Sequence, residues 1–314
     1  MIGAGGFAGS HLRRAAEAAG LRVVGTSRSP DGPDLHCDLL DPESVEATLR
    51  GVAPNLVANL AGVASVGRSW KRPAETFAVN AAGVLNLLEA MASEAPEAHL
   101  LCVSSSEVYG EVEPDRLPVT EDHPVRPVSP YGSSKAAMEL LCSAYTRSHG
   151  LRVAVVRAFN QLGPGQSEDF AASGFARQIA AAELRGEDEV TIAAGNLSAA
   201  RDFIDVRDAA GAYLAISGRE LTGIYNLCSG EAVKIESLID RLRDITALGV
   251  TTETEPELTR QVDAPLVYGS AERLRAATGW EPRIALEQAV ADLLDWWRAE
   301  LSRPGDRVAG RAER

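Results

Sequence analysis

Cysteine is scarce in this 314-residue chain, and the four present, Cys37, Cys102, Cys142 and Cys228, are scattered singly. No pair has the spacing of a disulfide framework or a zinc site, so reduced core cysteines are expected. The five histidines lack metal-ligand spacing too, and no metal is expected. No apolar run reaches the roughly 18 residues that a membrane span requires. The N-terminus lacks the basic region, apolar stretch and small-residue cleavage site of a signal peptide, which makes the cytoplasm the expected location. Positive charge is also short: 31 Lys and Arg against 44 Asp and Glu give a net charge of -13. That balance argues against broad binding to nucleic acids or anionic membranes. An anionic ligand must therefore be held by a few local arginines and by backbone amides. No internal repeats are found. What remains, 45% hydrophobic and 24% charged residues, is the composition of a folded globular protein with a large core.

Short β-branched runs alternate with helical patterns through the first half: "LRVVGTS" (21-27), "PNLVANLAG" (54-62), "HLLCVSSS" (99-106) and "LRVAVVRAF" (151-159). Alternation of this kind predicts an α/β fold with a parallel, doubly wound sheet. The runs are nearly continuously apolar, as strands buried on both faces should be. After residue 160 the chain turns to Gly- and Pro-rich loops with helices between them, which predicts a smaller lobe. The terminal stretch 303-314 has no apolar periodicity and reads as a disordered tail.

Gly3, Gly6 and Gly9 stand three apart and lead into a helical pattern ending at Gly20. Such glycines permit a tight turn, close approach of backbone to a pyrophosphate and close packing of helix on sheet. Only Met1 and Ile2 precede the loop, where a strand of about five residues is usual. The first strand is thus expected to be truncated, with a short apolar segment belonging upstream of Met1. The second strand ends in "GTSRS" without the carboxylate that grips the ribose diol of NAD. Arg28 stands there instead and can pair with a 2′-phosphate, so NADP is preferred and NAD is possible. Asp38, in "HCDLLD", is a candidate contact to the adenine.

Tyr131 and Lys135 lie four apart at the start of a helix, with Ser129 as N-cap and Pro130 in the first turn. A Lys ammonium about 4 Å from a phenol is worth up to about 4 kcal/mol at an effective dielectric near 20, a ceiling of about three pK units. Lys135 is therefore expected to draw the Tyr131 phenol towards neutrality, fitting it for proton exchange with a hydroxyl or ketone. Ser105 and Ser106 end a strand 26 and 25 residues before Tyr131, at the carboxyl edge where open α/β sheets bind ligands.

Taken in series, the glycine loop, "HCDLLD", "NLAG", "SSSEVYG", "SPYGSSK", "RAFNQLGPGQ", "RDFIDVRD" and "ATGWEPRIALE" resemble the extended short-chain dehydrogenase/reductases that modify nucleotide sugars. The resemblance covers nearly the whole chain. It implies a Rossmann domain over 1-160, with 203-228 returning to it, and a nucleotide-sugar lobe over 161-202 and 229-302. Ser105 would hold the substrate oxygen, Tyr131 would be the acid/base, and Lys135 would bind the nicotinamide ribose. Gly3, Gly6, Phe7, Gly9, Arg28, Asp38, Leu39, Leu60 and Gly62 would bind the cofactor. Ser106, Asn160 and Arg201 would bind substrate, with Arg260 as a second phosphate clamp and Asp263 near the nucleotide ribose.

Within the family the second-half motifs point to NADPH-dependent reduction of the C4 ketone of a GDP-linked 6-deoxy-4-keto sugar. Glu107 occupies the place of a dehydratase's elimination acid/base, which keeps a 4,6-dehydratase as the alternative. A 4-epimerase or a non-catalytic nucleotide sensor follows. Two positions depart from the reductase pattern: Gln161 replaces a His, and "RQVD" replaces R-P-x-E. A homodimer is expected by resemblance and by pattern. Phe77, Ala81, Val84, Leu88 and Met91 form one helical stripe, yet Leu85 and Leu87 lie off it.

Overall fold

The structure is a computed structural model that describes residues 1-29, 32-258 and 264-303. The chain divides into two compact units. In their described parts, the first comprises residues 1-29, 32-161, 200-233 and 264-283, and the second 162-199, 234-258 and 284-303.

The first unit is built on a parallel sheet. Leu56–Asn59 pairs with His99–Ser105, which pairs with Arg152–Ala158, which in turn pairs with Gly223–Leu227. Leu100, Leu101 and Cys102 are all fully buried although they point alternately to opposite faces, the reason for the unbroken apolar run. Ile2 bridges Asn59 on one side and Thr26 on the other, and Thr26–Ser27 pairs with Leu35–His36. The resulting order matches the doubly wound arrangement, in which ligands sit outside the carboxyl ends at the switch point beside the first strand.

That first strand is Ile2 alone. Its amide donates to Ala58 O at 2.8 Å, and its carbonyl accepts from Leu60 at 3.0 Å, while Met1 O accepts from Thr26 at 2.9 Å. Of the apolar run 21-27, only Thr26–Ser27 is strand, the part that pairs with Leu35–His36. A cavity of about 30 Å3 beside Ile2 is lined by apolar groups including Val24, Val45 and Val57. Ile2→Ala is expected to cost about 2-4 kcal/mol in denaturant unfolding, since it enlarges a space that neighbouring strand backbone cannot close. A loss below about 1 kcal/mol would show that Ile2 does not hold the two halves of the sheet together.

Residues 264-283, assigned from sequence to the smaller lobe, belong to the first unit. Leu266–Val267 pairs with Ala200–Arg201, and the helix Glu272–Thr278 packs on Gly223–Leu227, which ties the segment to the sheet. Residues 304-314, expected to form a tail, lie outside the described residues. In the second unit the helices Ala171–Arg185 and Leu286–Leu301 pack together, with Trp297 Nε1 donating to Ser173 Oγ at 2.9 Å. A parallel pair, Glu189–Ala194 with Gly249–Thr254, completes it. All four cysteines are buried thiols. Among the described residues, no helix is long and apolar enough to cross a membrane and no His, Cys, Asp or Glu cluster could hold a metal.

Candidate active site

The glycine loop closes on itself through Gly6 N–H to Gly3 O at 3.1 Å and opens the helix Phe7–Ala18. Gly3 has φ 79°, and a Cβ there would lie 2.8 Å from Ala61 N. A Cβ on Gly9 would lie 2.1 Å from Gly3 O. These two positions exclude side chains, so the loop crosses directly over Leu60 and Ala61 while the helix seats against it. No side chain caps the helix start. Phe7 stands at the helix start, its ring edge-on to His11.

From this loop a continuous path leads to Tyr131. A Cβ on Gly62 would lie 2.8 Å from Asn80 Oδ1 and 3.4 Å from Lys135 Nζ. Lys135 Nζ donates to Val103 O at 2.8 Å, on the strand that ends at Ser105. Tyr131 lies beside Ser105, whose side chain acts on the phenol. The structure thus brings Gly3, Gly6, Gly9, Leu60, Gly62, Lys135, Ser105 and Tyr131 together along one edge of the sheet. The helix Pro130–His149 that carries Tyr131 and Lys135 is capped by Ser129 Oγ, which accepts from Gly132 N at 3.0 Å. Its start is pressed onto the turn Ser106–Val108, because a Cβ on Gly132 would lie 2.5 Å from Glu107 O. Ser106 and Glu107 are half-buried in that turn.

The electrostatics differ from the sequence expectation. The Tyr131 phenol is pushed up to about 12, chiefly by burial, with Ser105 opposing and the Glu107 charge adding to the rise. Lys135 is pushed down to about 8, again by burial. The expected lowering of Tyr131 by Lys135 is not found: the groups acting on the phenol are Ser105 and Glu107, burial dominates, and Lys135 Nζ is turned to the Val103 carbonyl. Tyr131 stays protonated at neutral pH, the form a proton donor needs.

The other expected residues fall into separate places. Arg28 is exposed just after Thr26–Ser27. The Asp38 carboxylate accepts from Leu40 N at 2.9 Å in a local turn, and Leu39 is buried against Gly83. Asn160 donates to Asp202 O from both its backbone N (3.1 Å) and its side chain (3.2 Å). Arg201, next in chain to Asp202, is buried, with Nη1 donating to Ala200 O at 2.8 Å. Arg260 and Asp263 lie outside the described residues. Gln161 donates to the Tyr213 hydroxyl at 2.7 Å, and that buried phenol lies near Tyr131.

Sequence reading missed three supports. Asn80 sits in a π-helical turn, Ala78–Ala82, that interrupts the expected continuous helix. Its side chain accepts from Val63 N at 2.8 Å and donates to Ser134 Oγ at 3.0 Å, clasping the loop after Gly62 to the Tyr131 helix. Asp202 is fully buried and accepts from Ser229 N and Oγ at 2.7 Å each and from Gly230 N at 2.9 Å. Glu139 and Arg157 form a buried ion pair behind Ser105.

A parallel sheet ordered about a switch point, with a glycine loop at its centre, defines the Rossmann-like class of α/β proteins. The chain belongs to the GDP-mannose 4,6 dehydratase family, whose model matches residues 1-293. It is 36% identical over 302 residues to the GDP-6-deoxy-D-mannose reductase of Pseudomonas aeruginosa, covering 96% of this chain and 97% of the relative. A solved structure of RMD from Pseudomonas aeruginosa complexed with NADPH superimposes with a TM-score of 0.84, at 34% identity, over 95% of this chain and 98% of that one. The Thermus thermophilus UDP-glucose 4-epimerase in complex with NAD gives 0.83 at 31% identity, over 95% and 97%. The resemblance to extended short-chain dehydrogenase/reductases read from the motifs therefore holds.

Proposed function

We infer that this chain reduces the C4 ketone of GDP-4-dehydro-6-deoxy-D-mannose to give GDP-D-rhamnose, using NADPH. The observation that carries the reading is the buried, protonated phenol of Tyr131 beside Ser105 at the carboxyl end of the central strands. The similarity to the Pseudomonas reductase supports the choice of substrate.

The bound cofactor supplies the hydride. The chain does the rest. The cradle that a Cβ at Gly3 or Gly9 would fill suits a pyrophosphate at the helix start. Leu60, Gly62 and Lys135 would line the path to the nicotinamide ribose, with Phe7, Asp38 and Leu39 towards the other end. Tyr131 donates its proton to the ketone oxygen as charge builds there, and Ser105 hydrogen-bonds the same oxygen. Asn160 and Arg201, with Arg260, would hold the diphosphate, Ser106 the sugar and Asp263 the nucleotide ribose. Incubation with NADPH and the 4-keto sugar, followed by product identification, tests the reading; no consumption of NADPH overturns it. Formation of the 4-keto sugar from GDP-mannose would instead establish the dehydratase reading, for which Glu107, whose charge reaches Tyr131, is the acid/base.

Exposed Arg28 is the group for the 2′-phosphate. Arg28→Ala is expected to cut the NADPH-over-NADH ratio of kcat/KM by about tenfold or more, the worth of a lost charge-assisted pair. An unmoved ratio, or a parent that prefers NADH, refutes the assignment.

The protein acts in the cytoplasm as a homodimer. Phe77 is 50% and Leu140 73% exposed, on helices packed against each other, and both are large apolar groups without cover. Leu87, expected off the stripe, is fully buried and Leu85 half-buried, whereas Phe77, expected on the stripe with Ala81, Val84, Leu88 and Met91, is exposed. Light scattering should give twice the chain mass at micromolar concentration, and Leu140→Glu should halve it.

A further inference from the structure

Behind the Ser105 edge lies a buried polar cluster that the proposed reaction does not use. Glu139 Oε1 accepts from Ser104 Oγ at 2.5 Å and from Arg157 Nε at 3.1 Å, and Oε2 accepts from Arg157 Nη2 at 2.7 Å. Arg157 Nη1 donates to Tyr109 OH at 3.0 Å and to Glu121 O at 3.1 Å. The Tyr109 hydroxyl donates to Asn226 Oδ1 at 2.6 Å, and the Tyr109 ring lies under the guanidinium. The side chains of Arg157 and Glu139 are only 3% and 6% exposed. A buried ion pair tends to break even in stability against an apolar pair of the same shape, so stability alone is a poor reason for this one.

Its placement gives another reason. Tyr131, Lys135 and Glu139 recur every four residues on one helix face. Each meets the same strand: Tyr131 at Ser105, Lys135 at the Val103 carbonyl, Glu139 at Ser104. The third contact is the only one of these three anchored from behind, by Arg157 on the next strand. We propose that Glu139, clamped by Arg157 and bonded to Ser104, is a positioning residue that locks the helix register against strand residues 103-105 and so holds Lys135 and Tyr131 in place against Ser105. This rests on the reductase reading for the roles of those residues. Charge adds to geometry: the groups acting on Lys135 are Cys102 from the strand and Glu139 and Cys142 from its own helix, and the Glu139 charge favours the ammonium. Asn80, which like Lys135 lies against Gly62, is uncharged.

The chain has only three lysines, Lys71, Lys135 and Lys234, so 13Cε-lysine NMR of the full protein can follow Lys135 by itself. Glu139→Gln keeps the acceptor for Ser104 and removes the charge. The Lys135 midpoint is expected to fall by about half a pH unit or more, while Lys71 and Lys234 hold. The kcat should fall about tenfold or more with KM within about threefold, as expected of a misplaced donor. An unmoved midpoint, or a kcat within twofold of the parent, overturns the proposal. If Glu139→Gln does not fold, Ser104→Ala carries the test, because it removes one hydrogen bond and leaves the ion pair intact. It should lower kcat about fivefold to tenfold and shift the Lys135 signal, and Ser104→Thr should restore both. A parent-like signal or a parent-like kcat in Ser104→Ala refutes positioning. A parent that fails to reduce the keto sugar refutes the functional reading alone, because the Lys135 signal then decides the role of Glu139 without turnover.

Discussion

Tyr131→Phe is expected to lower kcat by about a thousandfold or more while leaving the NADPH dissociation constant within about threefold, since it deletes only the proton donor. The ring is buried and Phe fills the same volume. Ser105, beside the lost hydroxyl, keeps a partner because its Oγ accepts from Glu107 N at 3.2 Å. The stability change should therefore stay within about 1.5 kcal/mol. Stopped-flow reduction and fluorescence titration of NADPH separate the two effects. Activity within threefold of the parent, or lost cofactor binding, would remove Tyr131 from the role of proton donor.

Gly9→Ala should weaken NADPH binding by about a hundredfold and lower the melting temperature by several degrees. Its Cβ would sit 2.1 Å from Gly3 O, a backbone atom in a loop whose own Cβ position is closed by Ala61 N. Neither partner can rotate away, so the helix must move off the loop. Overpacking of this kind costs about 1-3 kcal/mol or more, and the upper figure corresponds to about two decades of affinity. Gly5→Ala is the comparison, because beyond its chain neighbours none of the described residues lies within 4 Å of a Cβ there, and melting should be unchanged. Equal melting of the two variants would mean that the loop is not held against the helix.

Much of the site was legible because it depends on local spacing. Gly3, Gly6 and Gly9 needed only the glycine period, and Tyr131 and Lys135 only the helical one. The sheet followed from apolar runs at 54-62, 99-106 and 151-159, within which the observed strands Leu56–Asn59, His99–Ser105 and Arg152–Ala158 lie. What could not be read is what three dimensions decide. Burial, which raises the Tyr131 phenol, is a property of the packed helix and not of the four-residue spacing. The π-helical turn at Asn80 leaves no pattern in "AVNAA". Residues 264-283 join the first unit through pairing across more than sixty positions, between Leu266 and Ala200. Glu139 did leave a signal: an acid four residues after Lys135, on a helix face otherwise committed to the strand.

The interleaved make-up of the first unit bears on how the chain folds as it is synthesised. Its sheet is completed by Gly223–Leu227, which pairs along Arg152–Ala158 some seventy residues after that strand has been made. Its last segment, 264-283, arrives later still. A nascent chain halted short of residue 223 thus carries Arg152–Ala158 as an open edge with a row of unpaired amides and carbonyls, the template on which strands of other chains add. Until the closing strand emerges, Tyr109, which accepts from Arg157, also lacks Asn226, the acceptor of its hydroxyl. Translation at about 5-20 residues per second leaves this edge open for several seconds, the interval in which a holdase has most to protect.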